Sequence, residues 1–181
     1  MLLLYYTVKY SKAKPTNHTA MSKLPIDAID KKILSHLIKN ARMPFLEIAR
    51  ECGISGAAIH QRVKKLEDAG IITGSRLQVE PAALGYTLCA YIGIQISDSS
   101  FHFVAADALK EIPEVVECHF ITGKYNVLIK IYCFDNEHLM HTIFDKILKI
   151  KGIAQTETFM SLFKAFEREV DLDNEFTSTR I

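Results

Sequence analysis

The sequence lacks the short patterns that mark several classes of enzyme and metalloprotein. It has no CxxC pair among its four cysteines, no glycine-rich phosphate loop and no nucleophile elbow. His138 and His141 stand three residues apart on a predicted helix, but no second pair of ligands follows at a suitable spacing. Cys118 and His119 are adjacent on a predicted strand and so point to opposite faces. We therefore expect no catalytic residue, metal or cofactor, and interpret these histidines as surface residues.

A signal peptide and a long apolar run are also missing. The opening MLLLYYTVKYSK has no basic leading region and no small-residue cleavage site, and it is too short to span a bilayer. The cysteines lie within apolar runs, as buried free thiols do, which favours a reducing compartment. These features predict a cytoplasmic protein with no membrane partner. The cysteines are Cys52, Cys89, Cys118 and Cys133.

The formal net charge of +1 conceals a change of sign along the chain. Residues 1–21 carry three lysines and no acid, residues 22–80 carry ten basic against seven acidic residues, and residues 81–181 carry nine against fourteen. This division predicts two modules with different partners. A helical pattern begins just after Met21, so residues 1–21 are expected to be an upstream extension or a disordered arm. For their lysines a solvated tail is favoured over contact with phosphates.

Three short amphipathic helices are predicted in the first module. Apolar residues recur at helical spacing from about Asp27 to Asn40, a second helix starts at Pro44, and Ser55 can cap a third. Only GIS separates the second helix from the third, and so short a turn forces the steep crossing of a helix-turn-helix. The segment IITGSRLQVE, with Gly74 in its middle, predicts a small β-ribbon or wing.

The outward face of the third predicted helix carries only small, polar and basic side chains. Ile59, Val63 and Leu66 point inward at 100° per residue. Histidine and glutamine can hydrogen-bond base edges, and lysine and arginine can pair with phosphates. We therefore predict that this face enters the major groove of DNA. A solvated helix surface is the alternative, but the preceding helix, turn and wing favour DNA. The outward residues are Ala57, His60, Gln61, Lys64 and Lys65, with Arg62 on the flank.

The second module has the order of a split βαβ unit. Strand alternation begins at Tyr86, and a helical segment follows that stops at Pro113. Two strands joined by Gly123 and Lys124 in a tight hairpin, a helix from about Asn136 to Lys149, and a last strand complete the order βαββαβ. This order predicts a ferredoxin-like domain, and with the first module it makes the chain an α+β protein.

The central strands of this module are apolar on both faces. The helices of a βαββαβ unit cover one face of its sheet, so the opposite face should be polar if the unit is monomeric. Cys89, Tyr91 and Gly93 instead alternate with the inward residues of the first strand, and Leu128 and Tyr132 do so in the third. An apolar face of this kind is normally covered by another chain. We therefore predict a homodimer built sheet against sheet.

Residues 24–166 resemble the Lrp/AsnC, or feast or famine, regulators of bacteria and archaea. The matching pieces are LPIDAIDKKILSHLIKNARM, LEIARECGIS, RVKKLEDAGII, LGY, EVVECHFITGKYNVLIKI and KGIAQTET, each short but specific in order and spacing. The resemblance implies a winged helix-turn-helix domain at 22–74, a linker strand at 75–85 and a ferredoxin-like (RAM/ACT-like) dimerisation and effector domain at 86–168, followed by a tail at 169–181. It also implies an octameric assembly and an amino acid or similar small effector.

The resemblance also implies site residues. The effector site would use the hairpin residues Gly123, Lys124, Tyr125 and Asn126, with Thr156 and Thr158 from another subunit. Many relatives carry acidic residues in place of Lys124 and Asn126; a neutral amide offers only a hydrogen bond and a lysine repels a cation. The effector is then different, weakly bound or absent, and the alternative is that Gly123 and Lys124 only make the turn. The DNA-binding set is Arg42, Ser55, Gly56, Ala57, His60, Gln61, Arg62, Lys64 and Lys65.

Two other functions compete with sequence-specific binding of double-stranded DNA. Certain tetrapyrrole (siroheme) decarboxylases resemble the same two-domain family, so the fold alone does not exclude an enzyme. The Arg-Pro-Tyr and His-Asn-Tyr runs associated with them are replaced here by RMPF and ECHF. A sensor or scaffold whose DNA contacts have decayed is the third hypothesis, and the intact basic face argues against it.

Overall fold

The computed structural model describes residues 25–172, which fall into two compact units. One unit holds the described residues up to Leu77 together with residues 168–172, and the other spans Gln78–Glu167. The extension expected over residues 1–21 lies outside the described residues, as does residue 173 onward of the tail expected over residues 169–181. Within residues 25–172, no helix combines the length and apolar character needed to cross a membrane.

The first unit consists of three helices whose ends follow the local sequence signals. The side chain of Asp27 accepts from the backbone of Asp30 and caps the first helix, and the Ser55 hydroxyl caps the third by accepting from the Ala58 N–H at 3.2 Å. Gly53 ends the second helix in the left-handed conformation, at φ 68°. The predicted helices and the turn between the second and third are confirmed. The helices are α1 (Ala28–Lys39), α2 (Phe45–Cys52) and α3 (Gly56–Asp68).

The predicted β-ribbon and linker strand are not formed in this chain. Residues 71–80 contain no strand, and residues 75–85 contain only a 3-10 turn at Pro81–Leu84. Gly74, at φ 145°, interrupts the extended run, and no strand of residues 25–77 lies beside it to complete a ladder. Residues 71–85 of this single chain therefore hold no regular strand, because an extended segment becomes a strand only beside a partner, and the linker strand stays a prediction.

The second unit has the predicted βαββαβ order and a four-stranded antiparallel sheet in the order β2-β3-β1-β4. The hairpin between β2 and β3 is longer than the predicted two-residue turn: residues 121–126 form the loop, which the Ile121 N–H closes on the Asn126 carbonyl at 3.0 Å. The second helix continues past its α-helical part as a π-helical segment, Thr142–Ile147. The elements are β1 (Leu88–Ile96), α4 (His102–Lys110), β2 (Val115–Phe120), β3 (Val127–Cys133), α5 (Asn136–His141) and β4 (Ile153–Ser161).

One face of the sheet forms the core with both helices. Alternate residues of β1 and β3 are buried against α4 and the helix that follows β3, as the strand alternation predicted. Of the four thiols expected to be buried, only Cys133 is fully buried, in this core. Cys52 and Cys89 are half-buried, and Cys118 is exposed on the edge strand β2. The main core residues are Ala90, Ile92, Ile94, Leu109, Val127, Ile129, Ile131, Leu139 and Ile147.

No helix of the second unit packs against the other face, here called the open face, and this face is not purely apolar. Lys130 lies at its centre with its side chain only 12% exposed, and its ammonium donates to Glu117 at 3.1 Å. It also stands 5.9 Å and 5.6 Å from the ring centroids of Tyr91 and Tyr132. Desolvation lowers the pKa of Lys130, but the hydrogen bond and charge of Glu117 outweigh it and raise the pKa above its usual value. The centre of the open face is therefore an aromatic surface around the ion pair of Lys130 and Glu117.

Candidate nucleic-acid interface

Helix α3 is anchored by one apolar stripe and presents its other side to solvent. Ile59, Val63 and Leu66 are buried, as predicted, and the first two pack in a cluster with residues of α1 and α2. The turn before α3 is fixed by the Ile54 N–H, which donates to the Ala49 carbonyl at 3.1 Å. Because both neighbouring helices lie behind this stripe, the orientation of α3 within its unit is determined by packing.

The predicted outward residues of α3 are exposed. Ala57, His60, Gln61, Lys64 and Lys65 all face solvent. The His60 ring rests edge-on against Phe45, with the ring centroids 4.5 Å apart, so this imidazole is held in place at the surface. Gly56 is half-buried, and Ser55 is exposed but uses its hydroxyl as the helix cap.

The basic groups beside this face are available to an anion. Among residues 25–172, no ion pair engages the side chain of Arg42, Lys64 or Lys65. Arg42 is exposed just before α2, where its backbone N–H donates to the Asn40 side chain at 3.0 Å. Two free lysines on one helix and an arginine on the preceding turn form the charge pattern that duplex phosphates attract.

Arg62 differs from these residues because its charge is already paired. One guanidinium nitrogen, Nη1, donates to Asp27 Oδ2 and to Asp30 Oδ1, both at 2.7 Å. The backbone N–H of Asp30 and this guanidinium hold the pKa of Asp27 below its usual value, and the two carboxylates raise the pKa of Arg62. This geometry does not support the predicted phosphate contact of Arg62. Helical spacing placed the residue on the flank but carried no sign of partners more than 30 positions away.

In the second unit, Asn126 holds the candidate effector hairpin against β1. Its backbone N–H donates to the Ile94 carbonyl at 2.9 Å, and its side-chain Oδ1 accepts from the Ile96 N–H at 2.8 Å. Gly123, at φ 113°, makes the turn. The carbonyl oxygen of the Asn126 side chain thus already accepts one hydrogen bond within the chain, and its NH2 group can donate to a ligand.

Tyr125 and Lys124 lie on the open face of the sheet. The Tyr125 ring covers Gly93 so closely that a Cβ at Gly93 would lie 2.6 Å from the ring. The Tyr125 hydroxyl is buried and has no hydrogen-bond partner among the described residues. Lys124 pairs with Glu157, and its ammonium stands 4.9 Å from the Tyr125 ring centroid. Glu157 was not in the predicted site, although it lies between the two threonines that were.

A single chain does not bring the two threonines together with the hairpin. Thr156 is in register with Ile94 and Thr158 with Ile92, so the threonines share the helix-covered face of the sheet. Glu157 is in register with Gly93 and so lies on the open face beside the hairpin. Within one chain the threonines and the hairpin therefore do not line a common site, and a site shared between subunits stays a prediction.

The two histidines on the helix after β3 have separate, structural surroundings. The prediction that His138 is a surface residue was wrong, because its Nε2 lies 2.9 Å from the buried carboxylate of Glu114. His141 is exposed and pairs with Asp145 at 2.6 Å. Among residues 25–172, no group of three or more histidine, cysteine or acidic side chains fits a metal ion.

Comparison with known proteins identifies both units. A winged helix-turn-helix DNA-binding model matches residues 26–73, and an Lrp/AsnC ligand binding domain model matches residues 89–170. The regulatory protein AsnC of Escherichia coli K12 is 37% identical over 150 residues, which cover 83% of this chain and 99% of AsnC. The HTH-type transcriptional regulator LrpA of Pyrococcus horikoshii is 40% identical over 130 residues, which cover 72% of this chain and 92% of LrpA.

Solved structures agree with these matches. The structure of E. coli AsnC has a TM-score of 0.76 at 38% identity and covers 80% of this chain and 97% of that one. A transcriptional regulator of Neisseria meningitidis, in complex with L-methionine, has a TM-score of 0.77 at 26% identity and covers 81% and 97%. The relatives are named as regulatory proteins and not as enzymes, so nothing supports the decarboxylase alternative.

Proposed function

The chain belongs to the Lrp/AsnC family of transcriptional regulators, and we propose that the outward face of α3 reads its operator in the major groove of double-stranded DNA. Ala57 and Gly56 allow close approach to the groove, and His60 and Gln61 hydrogen-bond base edges. Lys64, Lys65 and Arg42 contact phosphates. The observation that carries this proposal is a solvent-facing helix surface on which Lys64 and Lys65 have no acidic partner among residues 25–172.

Operator selection from random-sequence DNA, followed by binding measurements at several salt concentrations, tests this proposal. If six or more phosphates are contacted, affinity falls by on the order of 10³ or more between 50 and 200 mM salt. Replacing Lys64 and Lys65 with Glu abolishes binding, whereas Lys110→Glu, on an exposed surface of the second unit, changes it little. A flat salt dependence, or normal binding by the double variant, contradicts the proposal.

We further propose that the working unit is a homodimer joined through the open faces of two sheets, with higher assembly to an octamer. Tyr91 and Tyr132 supply aromatic area around the Lys130 and Glu117 ion pair, and such a face is stable when a second copy covers it. Residues 22–74 serve DNA binding, residues 75–85 link the modules, and residues 86–168 serve dimerisation and effector binding. In the dimer, two copies of α3 reach half-sites about one helical turn, ~34 Å, or a multiple of it apart. Light scattering at micromolar concentration tests the dimer, and a monodisperse monomer rejects it.

The proposed effector is an amino acid or a similar small molecule, held between subunits by Gly123, Lys124, Tyr125 and Asn126 of one chain and Thr156 and Thr158 of another. The N. meningitidis relative is a complex with L-methionine, which supports this class of ligand. Because the Asn126 carbonyl oxygen already accepts from the Ile96 N–H, we expect the NH2 group of this side chain to donate to the ligand carboxylate. Calorimetric titration with a panel of L-amino acids tests the site, and no heat with any of them contradicts it.

A further inference from the structure

Arg62 joins the recognition helix to the first turn of α1 through a closed set of hydrogen bonds. Its Nη1 donates at 2.7 Å to one carboxylate oxygen of Asp27 and to one of Asp30. The remaining oxygens of the same carboxylates form the capping box of α1: Asp27 Oδ1 accepts from the Asp30 N–H at 2.8 Å, and Asp30 Oδ2 accepts from the Asp27 N–H at 3.2 Å. All four carboxylate oxygens therefore have a partner, two within α1 and two on α3.

The burial of these groups indicates a fixed contact. The Asp30 side chain is only 6% exposed and that of Arg62 is 30% exposed, whereas Asp27 is half-exposed at 52%. A nearly buried carboxylate needs a counter-charge, and Arg62 is the cation that supplies one to Asp30. To reach a DNA phosphate, the guanidinium would have to leave two carboxylates, one of them almost fully buried.

The neighbours of Arg62 on the helix are in a different situation. Lys64 and Lys65 are exposed, and no ion pair engages them among the described residues. Gln61 is also exposed, directly before Arg62 in the chain. The contact of Arg62 with Asp27 and Asp30, here called the clamp, thus lies at the middle of α3. It is one residue from Gln61 and one turn or less from both lysines.

We propose that Arg62 is a positioning residue for DNA recognition, which fixes the rotation and tilt of α3 against the capping box of α1 and contacts no phosphate. The proposal rests on the proposed function of α3. Base edges are read only when Gln61 and His60 are held at the correct depth and angle, whereas general attraction to phosphates tolerates small errors. Loss of the clamp therefore lowers discrimination between operator and other DNA more than it lowers attraction to DNA in general.

The test uses the full chain, an operator enriched from random DNA by the wild-type protein, and a mixed-sequence duplex of the same length. One variant is Arg62→Gln, and the other is Asp27→Asn combined with Asp30→Asn. Asparagine caps a helix about as well as aspartate, so the double variant keeps the capping oxygens while its NH2 groups cannot accept from Arg62. Lys65→Gln is the matched control, because it removes one exposed cation from the same helix. All proteins are compared at a temperature at which circular dichroism shows them folded.

The expected result is a loss of operator affinity of about tenfold for both clamp variants, within the range of pair couplings in polar networks. The salt slope is the slope of log affinity against log salt concentration, and for both clamp variants on mixed-sequence DNA it stays that of the wild type. Lys65→Gln instead reduces the size of this slope by about 0.9 for each phosphate that it no longer neutralises. Combining Arg62→Gln with the two asparagine changes adds little to the effect of either variant alone.

A phosphate-contacting Arg62 gives the opposite pattern and overturns the inference. Arg62→Gln then lowers the salt slope on both duplexes, as Lys65→Gln does, and the two asparagine changes tighten binding because they remove negative charge and free the guanidinium. The inference is also overturned if the clamp variants are folded and bind the operator with the affinity of the wild type. If Arg62→Gln does not fold, the asparagine variant decides alone, because it binds the operator more weakly if Arg62 is a clamp and more tightly if Arg62 contacts a phosphate. If the wild type enriches no sequence, the proposed function of α3 fails, and this outcome is distinct from failure of the inference about Arg62.

Discussion

Replacing Glu114 with Gln will destabilise the second unit, and the loss will depend on pH. The carboxylate of Glu114 is 9% exposed, and its Oε1 accepts from Lys146 at 2.6 Å and lies 2.9 Å from His138 Nε2. The Phe134 N–H donates to His138 Nδ1 at 3.2 Å, so the ring proton stays on Nε2 and points at Glu114. The glutamine side chain removes the charge while keeping the shape.

The magnitude follows from the shift of the Glu114 pKa. Burial, the largest single influence, raises this pKa, but hydrogen bonds from Lys146, His138 and the backbone outweigh it and lower the pKa from 4.5 to about 2. At about 1.4 kcal/mol per pKa unit, the ionised carboxylate stabilises the fold by roughly 3 kcal/mol. Because the folded pKa is depressed, this contribution is fully present above about pH 4.5 and is lost as the pH falls towards 2.

Urea unfolding followed by circular dichroism at fixed protomer concentration measures the effect. We expect Glu114→Gln to lower the free energy of unfolding by roughly 3 kcal/mol at pH 7 and by about half as much at pH 3. Glu111→Gln, at an exposed position three residues earlier, should change it by less than about 0.5 kcal/mol. A difference between wild type and Glu114→Gln that is equal at pH 7 and pH 3 would refute the reasoning.

Three further predictions concern glycines and the open face. Gly152→Ala should lower the free energy of unfolding by about 3 kcal/mol, because φ is 96° and the new Cβ would lie 2.2 Å from Phe101 Cβ. Gly53→Ala, at φ 68° and with no atom within 4 Å of the new Cβ, should lower it by only about 1 kcal/mol in the same urea or thermal measurement. Gly93→Ala should displace the Tyr125 ring and abolish the calorimetric signal of any amino acid that binds the wild type, while unchanged affinity would remove Tyr125 from the site. Tyr91→Lys should convert the proposed dimer to monomer in light scattering, since it places a second cation beside Lys130 on the open face; a persistent dimer would place the interface elsewhere.

Patterns local in the sequence predicted most of the fold. Period-2 alternation in β1 identified its buried face, and helical spacing at Ile59, Val63 and Leu66 identified the inner stripe of α3. Caps and left-handed glycines act over three or four residues, so Ser55 and Gly53 were also visible in the sequence. The strands expected in the wing depend on a partner rather than on local sequence, and residues 71–80 carry no regular strand in this chain.

The polar contacts that the sequence did not reveal share one physical property, which is distance along the chain. Arg62 meets Asp30 across 32 positions, and Lys124 meets Glu157 across 33. Spacing on a helix or strand gives the direction of a side chain from its own element, but whether a charge meets solvent or an opposite charge depends on the element packed against it. Arg62, Lys64 and Lys65 are therefore equivalent as basic residues in the sequence and different in the fold, where one is clamped and two are free. We therefore expect an assignment of DNA contacts from basic residues alone to overestimate their number in this chain, where the first turn of α1 holds two aspartates against Arg62.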